Sequence, residues 1–326
     1  MDNEYNGSRR TQAKNPAAVR AATPMTQQPP VCDYEGSTYQ ATFWDTGERA
    51  YEDGAEALAL RALLPQHGRL LLEIGAGAGR NTPRYSGFER VVLLDYSRTQ
   101  LEQAQTRLGR SDRYVYVAAD VYRLPFQPRT FDAATMIRVI HHMADAPRAL
   151  AQIQSTLAPG AAFIMEFANK LNLKAIARYG LGRQTWSPFA PEPVEFVALN
   201  FDFHPRTMLN WLRDAGFAIQ AVRALSYFRV GFLKRLLPTR LLVALDGLIQ
   251  PTGTLLTFSP SVFVGARKGG AAASEIDGQL RFRCPSCGGH DLAANDARLT
   301  CSGCGAGWAY VDGIYDFRQP LAPESR

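Results

Sequence analysis

The sequence predicts a doubly wound, mostly parallel α/β fold followed by a small C-terminal domain, and three observations carry that prediction. Two aliphatic runs, in LLLEI and VVLLD, reach the acids Glu73 and Asp95, and the first opens into alternating glycines, Gly75, Gly77 and Gly79. Strand-like and helix-like segments then alternate as far as Asn169, the pattern of a parallel sheet covered on both faces. Past Lys268 the composition changes, and four of the five cysteines fall in two C-x-x-C pairs. One large domain plus a small module suits a chain of 326 residues.

Taken in order, residues 1–40 are rich in Arg, Asn, Gln, Thr and Pro and bury little, so they read as a disordered tail. From Phe43 to Leu64, Ala and Leu recur at helical spacing until Pro65 stops the helix. The main domain runs over 41–268. An insertion at about 170–205, with Trp186 and several prolines, is expected to form a lid over the substrate. A helix at Pro205–Ala215 and a strand at Ala218–Ser226 resume the core, and Ser261–Arg267 reads as the last strand. Between them a second insertion, about 230–257, holds the leucine-dense stretch Gly231–Gln250 with Lys234, Arg235 and Arg240. Such a helix packs on its own domain or lies against a membrane surface or a lipid-like substrate. Residues 269–280 are a small-residue linker, and 281–318 form the C-terminal module.

The glycine-rich turn is where a ligand would meet the backbone, because a strand–turn–helix with little side-chain bulk admits close approach. The dinucleotide fingerprint needs a small residue three places after its second glycine. Here that place holds Arg80, or Thr82 in the alternative register. Glu73 just ahead of the turn would repel a pyrophosphate but accepts hydrogen bonds from an ammonium or hydroxyl. Asp95, at the end of the next strand, suits a ribose diol. A ligand with an ammonium end and an adenosine meets both demands, which points to S-adenosylmethionine (SAM).

Glu73-x-Gly75-x-Gly77-x-Gly79, Asp95, AADVYRLPF with Asp120, FDAATMIRVIHHM and LAPGAAFIMEF occur in that order. This series resembles the class I SAM-dependent methyltransferases, especially the small-molecule type that includes quinone-biosynthesis enzymes, over roughly residues 40–268. The resemblance implies a seven-stranded sheet and a SAM site built from Glu73, Gly75, Gly77 and Asp95. It further implies that Asp120 accepts from the adenine amino group and Val121 donates its backbone N–H, with Arg138 beside the cofactor by its position after the fourth strand. A general base is optional in this chemistry; His141, His142, Glu166 and His204 are the candidates by place in the chain. Glu166-Phe167-Ala168-Asn169 stands where amino-methylating nucleic-acid enzymes carry Asn/Asp-Pro-Pro-Tyr/Phe. The main domain also has no cysteine to attack a pyrimidine ring.

Cys284 and Cys287, then Cys301 and Cys304, form two knuckles each followed by glycine, the spacing of a zinc ribbon. Four thiolates leave no open coordination position, so the zinc would be structural. The tail AYVDGIYDF resembles small zinc-ribbon proteins that activate translation-related methyltransferases, here fused rather than separate. Its large apolar residues suggest that it packs on its own methyltransferase domain.

Charge bears on the acceptor. Residues 41–270 hold 27 Lys and Arg against 19 Asp and Glu, whereas 271 onward hold 5 against 7, so the ribbon is not a basic RNA clamp. A small-molecule or lipid-like acceptor is the leading expectation. The alternatives are an RNA or translation-factor acceptor delivered by the ribbon, and a SAM-binding scaffold without catalysis. No apolar run nears the ~18 residues of a membrane span, which leaves peripheral contact as the only membrane role considered. The polar N-terminus has no signal-peptide pattern, and a cytoplasmic location is expected.

Overall fold

The computed structural model of the protein describes residues 28–38, 40–270, 277–295 and 297–322. Most of the stretch expected as a tail, 1–27, and the centre of the expected linker, 271–276, lie outside the described residues. A helical turn at Gln40–Trp44 precedes α1 (Ala50–Leu63), so the helix expected from Phe43 begins seven residues later and ends, as its proline dictates, at Leu63. Then follow β1 (Gly68–Ile74), β2 (Phe88–Asp95), α2 (Arg98–Leu108), β3 (Tyr114–Ala118), β4 (Phe131–Met136), α3 (Ala146–Thr156) and β5 (Leu157–Ala168). Next come α4 (Leu173–Gly180), a hairpin of β6 (Val194–Val197) and β7 (Asn200–Asp202), α5 (Pro205–Asp214) and β8 (Phe217–Leu225). The second insertion is two helices, α6 (Gly231–Leu236) and α7 (Thr239–Ile249), because Pro238 interrupts the expected single one. The chain ends with β9 (Ser261–Lys268), β10 (Leu292–Ala294), β11 (Arg298–Cys301), β12 (Gly307–Val311) and β13 (Ile314–Leu321).

The sheet order is β10-β11-β12-β13-β3-β2-β1-β4-β5-β9-β8. Strands β1 to β5 are parallel, and β9 runs antiparallel between β5 and β8. The strands bury both faces, which explains their unbroken aliphatic runs. Leu70, Leu72 and Ile74 point into a core beneath α3 and α5, while Leu71 points into another beneath α1 and α2. Local chemistry sets the helix ends: Ser97 Oγ accepts from Gln100 N at 3.2 Å to start α2, and Asp145 Oδ1 accepts from Arg148 N at 3.1 Å to start α3.

The expected seven-stranded sheet is instead one sheet of eleven strands. The reason is an unspent edge: β3 offers its backbone groups, and β13 pairs with it in parallel, Tyr315 opposite Val117. The antiparallel β10–β13 run is thereby continuous with the main sheet. Phe282 reinforces the join by stacking on Phe126 and meeting Tyr315 and Phe317, with ring centroids 5.9, 4.8 and 5.0 Å apart.

Candidate cofactor pocket and cysteine centre

In open α/β sheets a crevice forms outside the strand carboxyl ends where the strand order reverses. The reversal here lies between β1 and β4, and a pocket sits there. The glycine turn after β1 forms one wall. Gly75 has φ +65°, and a Cβ there would lie 2.2 Å from a Val139 methyl, so no other residue fits. Gly77, at φ +53°, meets nothing nearer than Gln100 at 3.8 Å, which leaves open room against the backbone.

Glu73 lines the pocket and is 4% exposed. Burial pushes its carboxyl up to about 7, against the pull of hydrogen bonds from Thr82, whose Oγ1 donates at 2.6 Å, and from Tyr85. Asp95 accepts from Gly77 N at 2.8 Å and Ser97 N at 2.9 Å, so its side chain fastens the glycine turn to β2 while still lining the pocket. Burial raises its carboxyl despite these bonds. These residues fit SAM: a buried acid awaiting a cation, a carboxylate with acceptor capacity left for a diol, and an open glycine cradle between them.

Val121 also lines the pocket, but Asp120 stands behind it, 2% exposed. Asp120 Oδ1 accepts from Tyr122 N at 2.9 Å, and Oδ2 accepts from Gln28 Nε2 at 2.6 Å. Arg138 lines the pocket with φ +60°; its guanidinium is bound to Glu56, Nε to Oε1 at 2.6 Å, beside the Trp44 ring. Glu56 also takes Arg80 Nη2 at 2.7 Å. Full burial would push the Glu56 carboxyl up, yet the two guanidiniums overcome this and hold it below the ordinary range. Arg138 is therefore an ion-paired brace of the wall.

Of the candidate bases, only His142 lines the pocket. Its Nδ1 lies 3.0 Å from the Leu199 carbonyl of the β6–β7 turn. A carbonyl only accepts, so Nδ1 carries the proton, and Nε2 accepts from the Tyr34 hydroxyl at 3.1 Å. Burial holds His142 below the usual imidazole range, hence neutral. The other three candidates do not line the pocket. His141 packs against His142 with ring centroids 4.2 Å apart, and burial keeps it well below the usual imidazole range. Glu166 is buried under the sheet end, accepting from Ser261 Oγ at 2.6 Å and Arg138 N at 3.0 Å. His204 starts α5, its ring accepting from Arg206 N at 3.2 Å. Glu166 and His204 are thus engaged by Ser261 and by backbone N–H groups outside the pocket lining.

Sequence reasoning missed the segment that completes the pocket. Val31, Cys32 and Tyr34, read as tail, line it, as do Gln40 and Trp44. Burial pushes the Cys32 thiol up, so it stays protonated. Glu35 holds this segment in place by accepting from Arg98 N and Thr99 N at the start of α2, and from Arg318 Nη1 of β13 at 3.0 Å. Val31 and Tyr34, apolar and aromatic residues set in polar sequence, were the signal in that stretch.

At the other end of the molecule the four cysteine sulfurs lie within 4.8 Å of one another. Cys284 and Cys304 Sγ are 3.7 Å apart, Cys287 and Cys301 Sγ 3.5 Å. A tetrahedron of Zn–S bonds of about 2.3 Å has sulfur–sulfur edges of about 3.8 Å, so the set fits zinc. The knuckles close through Gly288 N to Cys284 O and Gly305 N to Cys301 O, both at 2.8 Å, with both glycines at positive φ.

A methyltransferase-domain family matches residues 72–165, from β1 through most of β5. A demethylmenaquinone methyltransferase of Clavibacter sepedonicus is 28% identical over 169 residues, 48% of this chain and 69% of that protein. A 2-phytyl-1,4-naphtoquinone methyltransferase of Nostoc punctiforme is 32% identical over 178 residues, covering 50% of this chain and 77% of the relative. The chain belongs to the SAM-dependent methyltransferases. A solved SAM-dependent methyltransferase of Mesorhizobium loti has the same fold as this methyltransferase, with TM-score 0.50 and 24% identity over 67% of this chain and all of the other. Among the described residues of the methyltransferase no helix is long and apolar enough to cross a membrane.

Proposed function

We propose that this methyltransferase transfers a methyl group to a small, lipid-like acceptor bearing a ring hydroxyl, with His142 as the proton acceptor. The observation that carries the reading is the placement of His142 in the pocket wall, with Nδ1 on the Leu199 carbonyl and Nε2 toward the Tyr34 hydroxyl, where burial favours the neutral ring. The relatives named for menaquinone and phytyl-naphthoquinone methylation support the acceptor class. When bound, SAM supplies a sulfonium-activated methyl group. Glu73 accepts from the ammonium, the open turn at Gly77 admits the cofactor to the backbone, and Asp95 accepts from the ribose hydroxyls. Val121 N–H meets the adenine edge, and Asp120, held behind it by Tyr122 N and Gln28 Nε2, fixes that turn of backbone. Arg138, paired with Glu56, keeps the wall rigid, so that the acceptor and methyl group are held in line. His142 Nε2 then takes the acceptor's hydroxyl proton, directly or through Tyr34, as methyl transfer proceeds.

We read 41–268 as the methyltransferase unit and 281–318 as a ribbon whose four cysteines hold a structural zinc. The β13–β3 pairing and the Phe282 contacts support a ribbon that packs on its own catalytic unit rather than presenting a substrate.

The test is methyl transfer to a reduced alkyl-naphthoquinone. His142→Ala should lower kcat by about 10²- to 10⁴-fold, the usual reach of general-base catalysis, while calorimetric SAM affinity stays unchanged. Full activity in that variant would remove His142 from the chemistry. Activity on RNA alone would replace the acceptor class.

A further inference from the structure

We propose that α6, α7 and the adjoining start of α4 form a docking face for an anionic lipid surface. Sixteen large apolar side chains stand exposed among the described residues, and fourteen of them fall between positions 173 and 256, so the exposure belongs to one region of the chain. In α7, Leu241, Leu245 and Leu248 follow one another at spacings of four and three, a single outward stripe, with Leu248 78% exposed. The helix is not free to rotate them inward. Its neighbouring face is fixed to α1, where Tyr51 Oη donates to Asp246 at 2.5 Å and Gln250 Nε2 donates to the Ala55 carbonyl at 2.9 Å. In α6, Phe232 and Leu236 stand one turn apart, both about two-thirds exposed.

The patch continues beyond the two helices. Leu255, 86% exposed, and Leu256 follow the turn after α7. Leu173 N–H donates to the Phe258 carbonyl at 3.0 Å, which brings exposed Leu173 at the start of α4 to the same edge.

Charge selects the occupant. The helices of the face, α4, α6 and α7, hold Lys174, Arg178, Lys234, Arg235 and Arg240 against a single acid, Asp246, which is buried; Lys234 is paired with Glu52 of α1. Arg240 opens α7 and Arg178 lies on α4, both exposed. Protruding leucines interleaved with basic side chains match the acyl–headgroup boundary of an anionic bilayer, where apolar burial and attraction to lipid phosphates act together. A second copy of the chain would bring two such basic faces together and repel. Lys234 of α6 donates to the Glu48 carbonyl at 2.8 Å, which ties the face to the stretch of chain that also carries Trp44, a residue of the cavity wall. The docking stands apart from the small-molecule reading of the pocket.

Flotation of the full chain with vesicles tests the proposal: phosphatidylcholine alone, and phosphatidylcholine with about 30 mol % phosphatidylglycerol. The protein should float with the anionic vesicles and at least tenfold less with neutral ones. Replacing Leu241, Leu245 and Leu248 together by Asn should cut the bound fraction about tenfold. Arg240→Glu with Arg178→Glu should cut it several-fold, and high salt should do the same to the wild type. Calorimetric SAM affinity reports that each variant is folded, and vesicle binding is read without methyl transfer, so failure of either reading is visible separately. Flotation that is absent, indifferent to lipid charge, or unchanged in the leucine variant would overturn the proposal. A concentration-dependent dimer abolished by the same variant would reassign the face to a second copy.

Discussion

Glu73 carries a cost of burial and, in the proposed site, the task of meeting a cation. Burial lifts its carboxyl from the ordinary 4.5 to about 7, so the folded protein keeps a proton that the unfolded chain gives up. With a folded value above the unfolded one, the contribution to stability is complete below about pH 4.5 and is lost as the pH rises through about 7. A bound ammonium reverses the balance, because it favours the ionised form. SAM affinity should therefore climb as the pH rises from about 5.5 to about 7, by up to about tenfold per unit, and then level off. Binding near pH 6 should release a proton, seen as buffer-dependent heat in calorimetry. Glu73→Gln should flatten the profile, and a wild-type affinity that falls over the same interval would show that Glu73 does not meet the cation. The spacing of Glu73, Gly75, Gly77 and Asp95 was readable in the chain because these residues act through local geometry at strand ends. Thr82 and Tyr85, which hold Glu73, and Tyr34, which holds His142, were not. Their partners lie across the fold, and no periodicity marks a polar side chain that is satisfied by a distant one.

Among elements, the cysteine knuckles and the strands between them depend on one another. β10 to β12 are three to five residues long and supply a small apolar core, chiefly Leu299 and Trp308. So short a unit should need a bound metal to fold. The full chain should carry about one zinc per molecule. Cys284→Ser should abolish that zinc and open residues 284–311 to proteolysis, while SAM binding persists. A metal-free protein whose knuckles still resist protease would contradict this account. Both C-x-x-C pairs were legible because ligand spacing is a local property. The position of the unit was less so, since pairing between β13 and the β3 edge joins residues about 200 apart in sequence and leaves no mark in either strand. The same blindness hid the segment at 28–38. Its polar composition suggested a tail, yet Gln28, Tyr34 and Glu35 each meet a distant partner.

For the whole molecule, β13 is both the edge of the cysteine unit and a strand of the catalytic sheet. A chain ended after Lys268 would bare the β3 edge and the Phe126 side of the aromatic cluster. It would also remove Arg318, which anchors Glu35 over the pocket. That truncation should lower Tm, increase aggregation and weaken SAM binding, with partial recovery when the C-terminal segment is supplied separately. Equal stability of the shortened chain would mean that the C-terminal unit serves an acceptor rather than the fold.

The pocket that His142 lines should carry methyl transfer from SAM to a small, lipid-like acceptor. The most direct measurement incubates the full-length protein with tritiated SAM and a cell extract, then separates solvent-extractable small molecules from RNA and protein. The account predicts label in the solvent-extractable fraction, lost in His142→Ala. Label confined to RNA or protein, or none in any fraction despite bound SAM, would contradict it.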